Sequence, residues 1–483
     1  MFSFLHKRFV LFMLLIGNQS TTWSASRFEE ETPFQMLPQV YLTVDSLDKV
    51  TKDVSSHAVI AIFENNNAVS TQPEFSSECM VHYRGATASL HPKKSFSVAL
   101  IDSVGNSSDR NILGIREDDK WILDAMAIDK SRMRNRVCFD IWNEVSSLRS
   151  NNMLRNGTVG KFVEVYLNGQ YNGLYCLSDK VNRKLLGVKK NKSGGVKGVL
   201  YKCSRGDTPN HWLRATDIEE EGTKWGDWDL EYPDEYPCEA TWQPLKTLVT
   251  FTDKIDTDSA FVAAHLGDYF HIDNLIDYCL FLQVFALVDN AMHNSFMSCE
   301  NIQEDTRMWI TPWDLDGSFG RDGVSNLLNR PGAPWLVFQN ASPFRNFFDD
   351  NEEALVAEVG KRWNELKDSI YSVEHISETI NHYRDLFIQT NAWTREREKW
   401  DGTPVELTEN INEELKYMKE WYAMNHQYLC TLFEAYSTDI SQIITTNQKQ
   451  TDDTIFMIDG RRSLVIPKGV YIRDGKKYIG KSK

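Results

Sequence analysis

The chain has few of the patterns that mark a metalloprotein or a membrane-spanning protein. Its eight cysteines are scattered, with no CxxC pair and no cysteine at metal-ligand spacing from a histidine, which argues against a zinc site. One long apolar run occurs, near the N-terminus, so the sequence predicts no transmembrane span in the mature protein. An excess of basic residues is also missing. The formal net charge of −15 argues against a nucleic-acid partner.

The apolar run belongs to a segment with the features of a secretory signal peptide. Basic residues at positions 6–8 precede the apolar stretch 9–16, and small residues follow near Ser24 and Ala25. No cysteine lies directly after the run, so lipid attachment there is not expected. We therefore expect residues 1–25 to be removed and the protein to be secreted or held at the cell surface or envelope.

The first part of the mature chain has the alternating apolar pattern of β-strands. Four strand-like segments occur within 37–100, and a fifth follows at 121–126. Asp129 is expected to cap the helix that comes next, and Asn168-Gly169 is a strong signal for a hairpin turn. These features predict a sheet-rich N-terminal lobe that contains one helix.

A loop of small residues lies between two of these strands. It follows Arg84, and Lys93 and Lys94 open the return strand. Small residues let the backbone approach a ligand closely, and a lysine at this place can reach a phosphate. Asp179 ends a later strand, where its carboxylate could pair with such a lysine. A surface hairpin with solvated lysines would show the same local pattern.

The most informative stretch is 272–320. It begins with a helix that is apolar on most sides and so predicted to be buried, with Asp273 as its N-cap. Two short strand-like segments, 296–299 and 308–311, then form a predicted hairpin. The helix end and the hairpin would hold two clusters of acids and amides.

These two clusters have the composition that phosphoryl transfer requires. Asp289 precedes Asn294 by five positions, and Asp314 and Asp316 follow the hairpin. Protein kinases place a catalytic Asp five positions before a metal-binding Asn, and a second metal-binding Asp beside a Gly. The spacing alone is also common in loops that merely cap helices and turns.

The remainder of the chain divides into three parts. Residues 203–258, rich in tryptophan and acids, are interpreted as an insertion that caps a cleft or shapes a substrate site. Residues 351–435 are predicted to be helices of a C-terminal lobe, with their acid and base pairs on solvated faces. A polar linker, 437–453, leads to short strands in 454–483.

Several sequence blocks, in order, resemble the CotH kinase family, the spore-coat-protein-H-like atypical secretory kinases. The blocks span roughly residues 35–400 and are Arg84-Gly85 with Pro92 to Phe96, Leu113-Gly114 with Trp121 to Leu123, Asp129 with Arg134-Asn135, 163–169 with 171–175, 274–278, Asp289-Asn290 with His293-Asn294, and Pro312 to Asp316. The resemblance implies an α+β, diverged protein-kinase-like two-lobed fold over residues 35–436. It further implies binding of ATP with Mg²⁺ or Mn²⁺ and phosphorylation of Ser or Thr on exported proteins.

Carried over residue by residue, the resemblance also assigns roles. Asp289 would be the catalytic carboxylate, and Asn294 with Asp314 or Asp316 would be the metal ligands. The residues expected to contact ATP or its phosphates are Arg84, Lys93, Lys94 and Asp179. Family members commonly have Glu where this chain has Asp179, one methylene shorter.

Two other functions and one further signal are consistent with parts of the sequence. The kinase-like cleft could be inactive in a surface adhesion module. The Asp314-Leu315-Asp316 turn also resembles the nucleophile motif of Asp-dependent phosphatases, but that fold needs an α/β domain downstream, where this chain is helical. The segment 454–483 resembles the sorting tails of the type IX secretion route, which implies the secretion machinery as a partner.

Overall fold

A computed structural model describes most of the chain from residue 36 onward. The described residues are 36–64, 72–85, 87–149, 156–191, 195–204, 220–233, 238–291, 293–321 and 353–434, together with the backbone of four short strands between 455 and 480. The expected signal peptide and the linker at 437–453 lie outside the described residues.

Seven N-terminal strands close into a barrel in the order β1-β2-β3-β4-β7-β9-β8. Their bounds, with those of a separate two-stranded ribbon, β5 and β6, are Gln39–Val44, Ser56–Phe63, Phe75–Arg84, Ser95–Ile101, Arg110–Asn111, Glu117–Asp118, Lys120–Asp124, Gly160–Leu167 and Gln170–Asp179 for β1 to β9. Neighbouring strands are antiparallel except β1 and β8, which pair in parallel with Gln39 opposite Glu164. The sequence predicted the strands but not this closure.

Alternating side chains fill the barrel, as the period of two in the strands requires. Val40, Leu42 and Val44 of β1 point into the interior, where Trp121 and Leu123 of β7 also lie. The expected hairpin turn is confirmed between β8 and β9, where Asn168 and Gly169 have φ values of 47° and 79°. The Asn168 side chain also bonds both backbone groups of Val44, which fixes the end of β1.

A second sheet has six strands in the order β11-β12-β13-β10-β14-β15. The bounds of β10 to β15 are Val199–Cys203, Glu220–Glu221, Lys224–Trp225, Trp228–Tyr232, Ser295–Cys299 and Trp309–Pro312. The hairpin predicted after the buried helix is therefore confirmed as β14 and β15. The 203–258 segment contributes β11 to β13, and its Trp225, Trp228 and Trp242 are buried, so this part of the segment extends the sheet and its core.

The described part of the chain contains eight α-helices, most of them in its C-terminal half. The helices α1 to α8 are Arg134–Ser147, Glu239–Thr252, Ser259–Tyr269, Ile272–Phe285, Glu353–Leu366, Val373–Gln389, Ala392–Trp400 and Asn412–Leu432. Helix α4 is buried along nearly its whole length, as predicted, but it begins at Ile272 with His271 as N-cap, so the assignment of Asp273 was wrong. Helix α1 begins after Met133, and Asp129 instead accepts a hydrogen bond from the Arg134 amide.

The C-terminal helices carry acids that are not solvated, contrary to the prediction for this region. Glu396 of α7 accepts bonds from Lys93 Nζ at 2.6 Å, Arg132 Nε at 2.8 Å and the Leu174 amide at 2.8 Å. All three charged side chains are fully buried. A Cβ on Gly173 would lie 2.5 Å from Glu396 Oε2, so only glycine fits there. Glu396 therefore joins the C-terminal helices to the barrel wall.

Four strands after the linker form a separate antiparallel sheet in the order β17-β16-β18-β19. Their bounds, β16 to β19, are Ile455–Met457, Arg462–Ser463, Gly469–Arg473 and Lys476–Gly480. Within the described residues, no helix combines the length and the apolar character needed to cross a bilayer. The architecture is thus mixed α and β, with a sheet-rich N-terminal region and helices toward the C-terminus.

Candidate functional site

A cleft lies against the outer face of the barrel wall formed by β4, β7 and β9. Because strand side chains alternate, Trp121 and Leu123 fill the barrel while Ile122 and Asp124 face outward into the cleft. Helix α1 contributes Asn135 to the opposite side. The space within the cleft is about 680 Å³, and part of it is open to solvent.

Three carboxylates line this cleft, and a fourth lies close to it. Asp314 and Asp316 come from the turn after β15, and Asp124 comes from the end of β7. Asp314 is exposed to the cleft, but it lies in a concave, protein-lined space. Desolvation in this space raises the pKa of Asp314, and the charges of Asp124 and Asp289 raise it further. Arg84 and Lys202 act in the opposite direction and lower it.

The repulsion among these acids is stronger still at Asp316. Its pKa lies well above the usual range, first because of desolvation and then because of the charges of Asp314, Asp124, Asp129 and Asp289. Carboxylates that repel one another in this way are stabilised by a bound cation. Carboxylate oxygens, with an amide oxygen such as that of Asn294, are the ligands Mg²⁺ prefers, so the residues present fit the metal.

Two asparagines hold the elements of the site together. Asn135 donates to Asp124 Oδ2 at 3.2 Å and accepts from the Leu315 amide at 3.1 Å, so it links β7 to the acidic turn. Asn290 donates to the carbonyls of Asn294 at 2.9 Å and Trp313 at 2.6 Å. It thereby ties the segment after α4 to the end of β15, which brings the two predicted acid-and-amide clusters together.

Asp289 and Asn294 lie on the segment between α4 and β14. Asp289 opens a short 3₁₀ turn, and its half-buried carboxylate makes no hydrogen bond within the described part of the chain. Asn294 has a left-handed backbone, φ 53°, and is half-buried. Neither residue is among the described residues lining the cleft, although Asp289 is near enough to raise the pKa of both Asp314 and Asp316.

The residues predicted to contact phosphates divide between two places. Arg84 and the adjoining Gly85 line the cleft, and Arg84 Cζ lies 5.2 Å from the centroid of the Trp313 ring. Lys93 also lines the cleft, but its ammonium is fully buried on Glu396 and the Leu174 carbonyl. Burial lowers the pKa of Lys93 to about 8.

Lys94 and Asp179 are directed elsewhere. Lys94 Nζ donates to the Ser89 carbonyl at 2.6 Å. Asp179 was expected to pair with a phosphate-binding lysine; instead it accepts from Arg116 Nε at 2.7 Å. On β9 it alternates with Ser178, and Ser178 is the residue that faces the cleft. The strand's alternation therefore directs Asp179 away from the cleft.

A different group of acids has the tightest carboxylate geometry among the described residues. Oxygens of Asp109, Asp118 and Asp119 lie within 4.8 Å of one another. Lys184 lies among them, 3.1 Å from Asp119 and 3.8 Å from Asp118, and Arg116 is 2.5 Å from Asp118. Each of these acids thus already contacts a cation of the protein.

Comparison with known families agrees with the geometry of the site. The profile of the CotH kinase protein family matches residues 81–429, well over half of the chain and including all the residues that line the cleft. The chain is therefore a member of the CotH kinase protein family. No curated protein matches the chain closely enough to name a relative.

Proposed function

We propose that the protein is a kinase that transfers the γ-phosphate of ATP to Ser or Thr hydroxyls of exported proteins. One observation carries the proposal: Asp124, Asp314 and Asp316 converge with Arg84 on one cleft, and Asp289 lies beside it. Family membership supports a kinase-like activity. In this proposal the barrel is the N-terminal lobe of a diverged two-lobed kinase, and helices α4 to α8 belong to the C-terminal lobe.

The proposed roles follow from the positions of the side chains. Asp289 orients the attacking hydroxyl and accepts its proton, a role for which its unbonded carboxylate is suited. Asp314 and Asp316, with Asn294, hold the metal, and Arg84 contacts the phosphates. Mg²⁺ or Mn²⁺, when bound there, supplies positive charge against the phosphate oxygens. Asn135 and Asn290 hold these groups in register through the hydrogen bonds described above.

We propose that the protein acts outside the cytoplasm. The support is the signal-peptide pattern in residues 1–25 and the resemblance of residues 454–483 to a secretion sorting tail. The substrate would then be a protein of the same compartment. The two segments are tested by following the size and location of a C-terminally truncated chain and of the full chain in a host that has the secretion route.

Phosphate transfer from γ-labelled ATP tests the kinase proposal. The chain lacking residues 1–25 is incubated with Mg²⁺ or Mn²⁺ and a Ser/Thr-rich acceptor protein, beside Asp289→Ala and Asp316→Ala. We expect label on protein with the wild type and none with either variant. No label above the variants, together with no binding of ATP, would contradict the proposal and favour the adhesion module with an inactive cleft.

A further inference from the structure

Lys202 is a half-buried lysine beside Trp313 of the cleft, and it forms no ion pair with a described residue. It lies on β10 opposite Phe296 of β14, and its Nζ is 5.9 Å from the ring centroids of both Phe296 and Trp313. Within the described residues its ammonium forms neither an ion pair nor a hydrogen bond. Burial lowers the pKa of Lys202, and the charges of Arg84 and Lys180 lower it further. Glu231 and Asp314 have the opposite effect and raise it. Among the described residues the Lys202 ammonium is thus held next to two aromatic rings without a hydrogen bond or an ion pair.

The nearest acids are engaged elsewhere or belong to the cleft. Glu231 accepts from Lys180 Nζ at 3.2 Å. Asp314 is the cleft carboxylate whose pKa Lys202 lowers. The lysines that the sequence favoured for phosphate binding have protein partners: Lys93 has Glu396, and Lys94 has the Ser89 carbonyl. Of these lysines, Lys202 is therefore the one whose ammonium has no hydrogen-bond or ion-pair partner among the described residues, and its donors can serve a ligand.

Arg84, at the end of barrel strand β3, is a second cation in a similar position. Its guanidinium lies against the same Trp313 ring as Lys202, and within the described residues it too has no ion pair. An anion bound between these two cations would relieve the repulsion between them. The acidic turn carrying Asp314 follows Trp313 directly, so the position suits an anion that also contacts a metal.

We infer that Lys202 and Arg84 together bind the phosphate chain of the nucleotide, with Trp313 positioning both cations, and that Lys93 is a structural lysine. This inference rests on the proposed kinase function and specifies the phosphate subsite of the same cleft. It assigns the phosphate-binding lysine to Lys202 on β10, in place of Lys93 and Lys94, which the sequence had favoured.

Nucleotide binding by Lys202→Met tests the inference, because methionine keeps the apolar length of the side chain and removes the charge. Affinities for ATP and for adenosine are measured by calorimetry in Mg²⁺ with the full chain. Lys180→Met is the matched control, since it removes the same charge from a lysine that directly follows β9 and has its own partner, Glu231. We expect Lys202→Met to weaken ATP binding by about 10- to 100-fold and to leave adenosine binding unchanged. Lys180→Met should change either affinity by less than about threefold.

Thermal unfolding without ligand separates a binding role from a structural one. If Lys202 serves a ligand, removing its unpaired charge should leave the melting temperature the same or raise it. Equal losses of ATP affinity in both variants, an equal loss for adenosine, or a lowered melting temperature with Lys202→Met would each overturn the inference.

Tripolyphosphate distinguishes failure of this inference from failure of the proposed function. If the wild type binds tripolyphosphate with Mg²⁺ and Lys202→Met does not, the phosphate subsite is supported even when ATP binding is absent and the kinase proposal fails. If ATP and tripolyphosphate bind equally well to both proteins, the kinase proposal stands and the Lys202 inference is overturned. If neither ligand binds to the wild type, both are overturned.

Discussion

Two groups of carboxylates in this molecule, one buried and one in the cleft, have opposite electrostatic surroundings. Glu396 and Asp129 are fully enclosed, yet cations hold their pKa values below the usual range despite the opposing effect of burial: Lys93 and Arg132 for Glu396, and Arg134 for Asp129. Asp314 and Asp316 lie in a cleft that raises their pKa values, and their neighbours are mainly other acids. The first group stabilises the fold, whereas the second retains repulsion that a ligand can relieve.

The largest expected effect is on activity and comes from Asp289, which lies beside the cleft group. Asp289→Asn should lower the rate of phosphate transfer by about 10³-fold or more, roughly 4 kcal/mol, because it removes the proton acceptor. Its melting temperature should not change, since the carboxylate makes no hydrogen bond in the described structure. Rate and melting temperature are measured together, with Asp368→Asn on the exposed surface as control. If Asp289→Asn were as active as the wild type, Asp289 would not be the catalytic residue.

The largest expected effect on stability belongs to the paired group. Glu396→Gln leaves Lys93 and Arg132 buried beside a neutral amide, which should lower the free energy of unfolding by about 3–5 kcal/mol. Urea unfolding measures this change. Glu398→Gln, two positions along the same helix and exposed, should change the free energy by less than about 0.5 kcal/mol. Similar values for the two variants would mean that the buried network contributes little.

Metal addition should act on the cleft group and not on the acids beside Lys184. Mg²⁺ at about 100 times its dissociation constant should stabilise the wild type by about 2.7 kcal/mol. We expect Asp316→Asn to lose this gain and Asp119→Asn to keep it, because Lys184 and Arg116 already pair with the acids of the latter group. Thermal shift against Mg²⁺ concentration is the measurement. If only Asp119→Asn lost the stabilisation by Mg²⁺, the metal would bind at Asp109, Asp118 and Asp119 and not in the cleft.

The smallest effect should appear when the metal is withheld. In the presence of a chelator, Asp316→Asn removes one of the repelling charges. It should therefore raise the free energy of unfolding by about 0.5 kcal/mol. This value is small because the cleft is partly solvated. Unfolding of wild type and variant in urea with EDTA measures it. A clear loss of stability would show that Asp316 has a structural partner after all.

Local sequence patterns were sufficient to predict most of the secondary structure. Alternating apolar residues predicted the strands of the barrel, and the two φ > 0 positions at Asn168 and Gly169 explain why that turn was recognisable. Barrel closure could not be predicted, because it depends on β1 pairing in parallel with β8, a contact between distant segments without a local signal.

The site was predictable only where its residues fall close together in sequence. Asp289, Asn294, Asp314 and Asp316 lie on two short segments that the Asn290 hydrogen bonds bring together. Asp124 was missed, although an acid at the end of an apolar strand such as 121–126 is a usable signal. Glu396 was missed because acids on helices usually face solvent, and nothing local shows that Gly173 makes room for it.

The parallel contact between β1 and β8 also affects the order in which the barrel can form. A chain that emerges from its N-terminus first presents β1 and β2 long before residues 160–167 are present to cover the outer edge of β1. Until then that edge offers unpaired backbone groups to any other extended chain. Folding during synthesis therefore has an aggregation-prone interval, which ends when β8 pairs with β1 and leaves the barrel without an open edge.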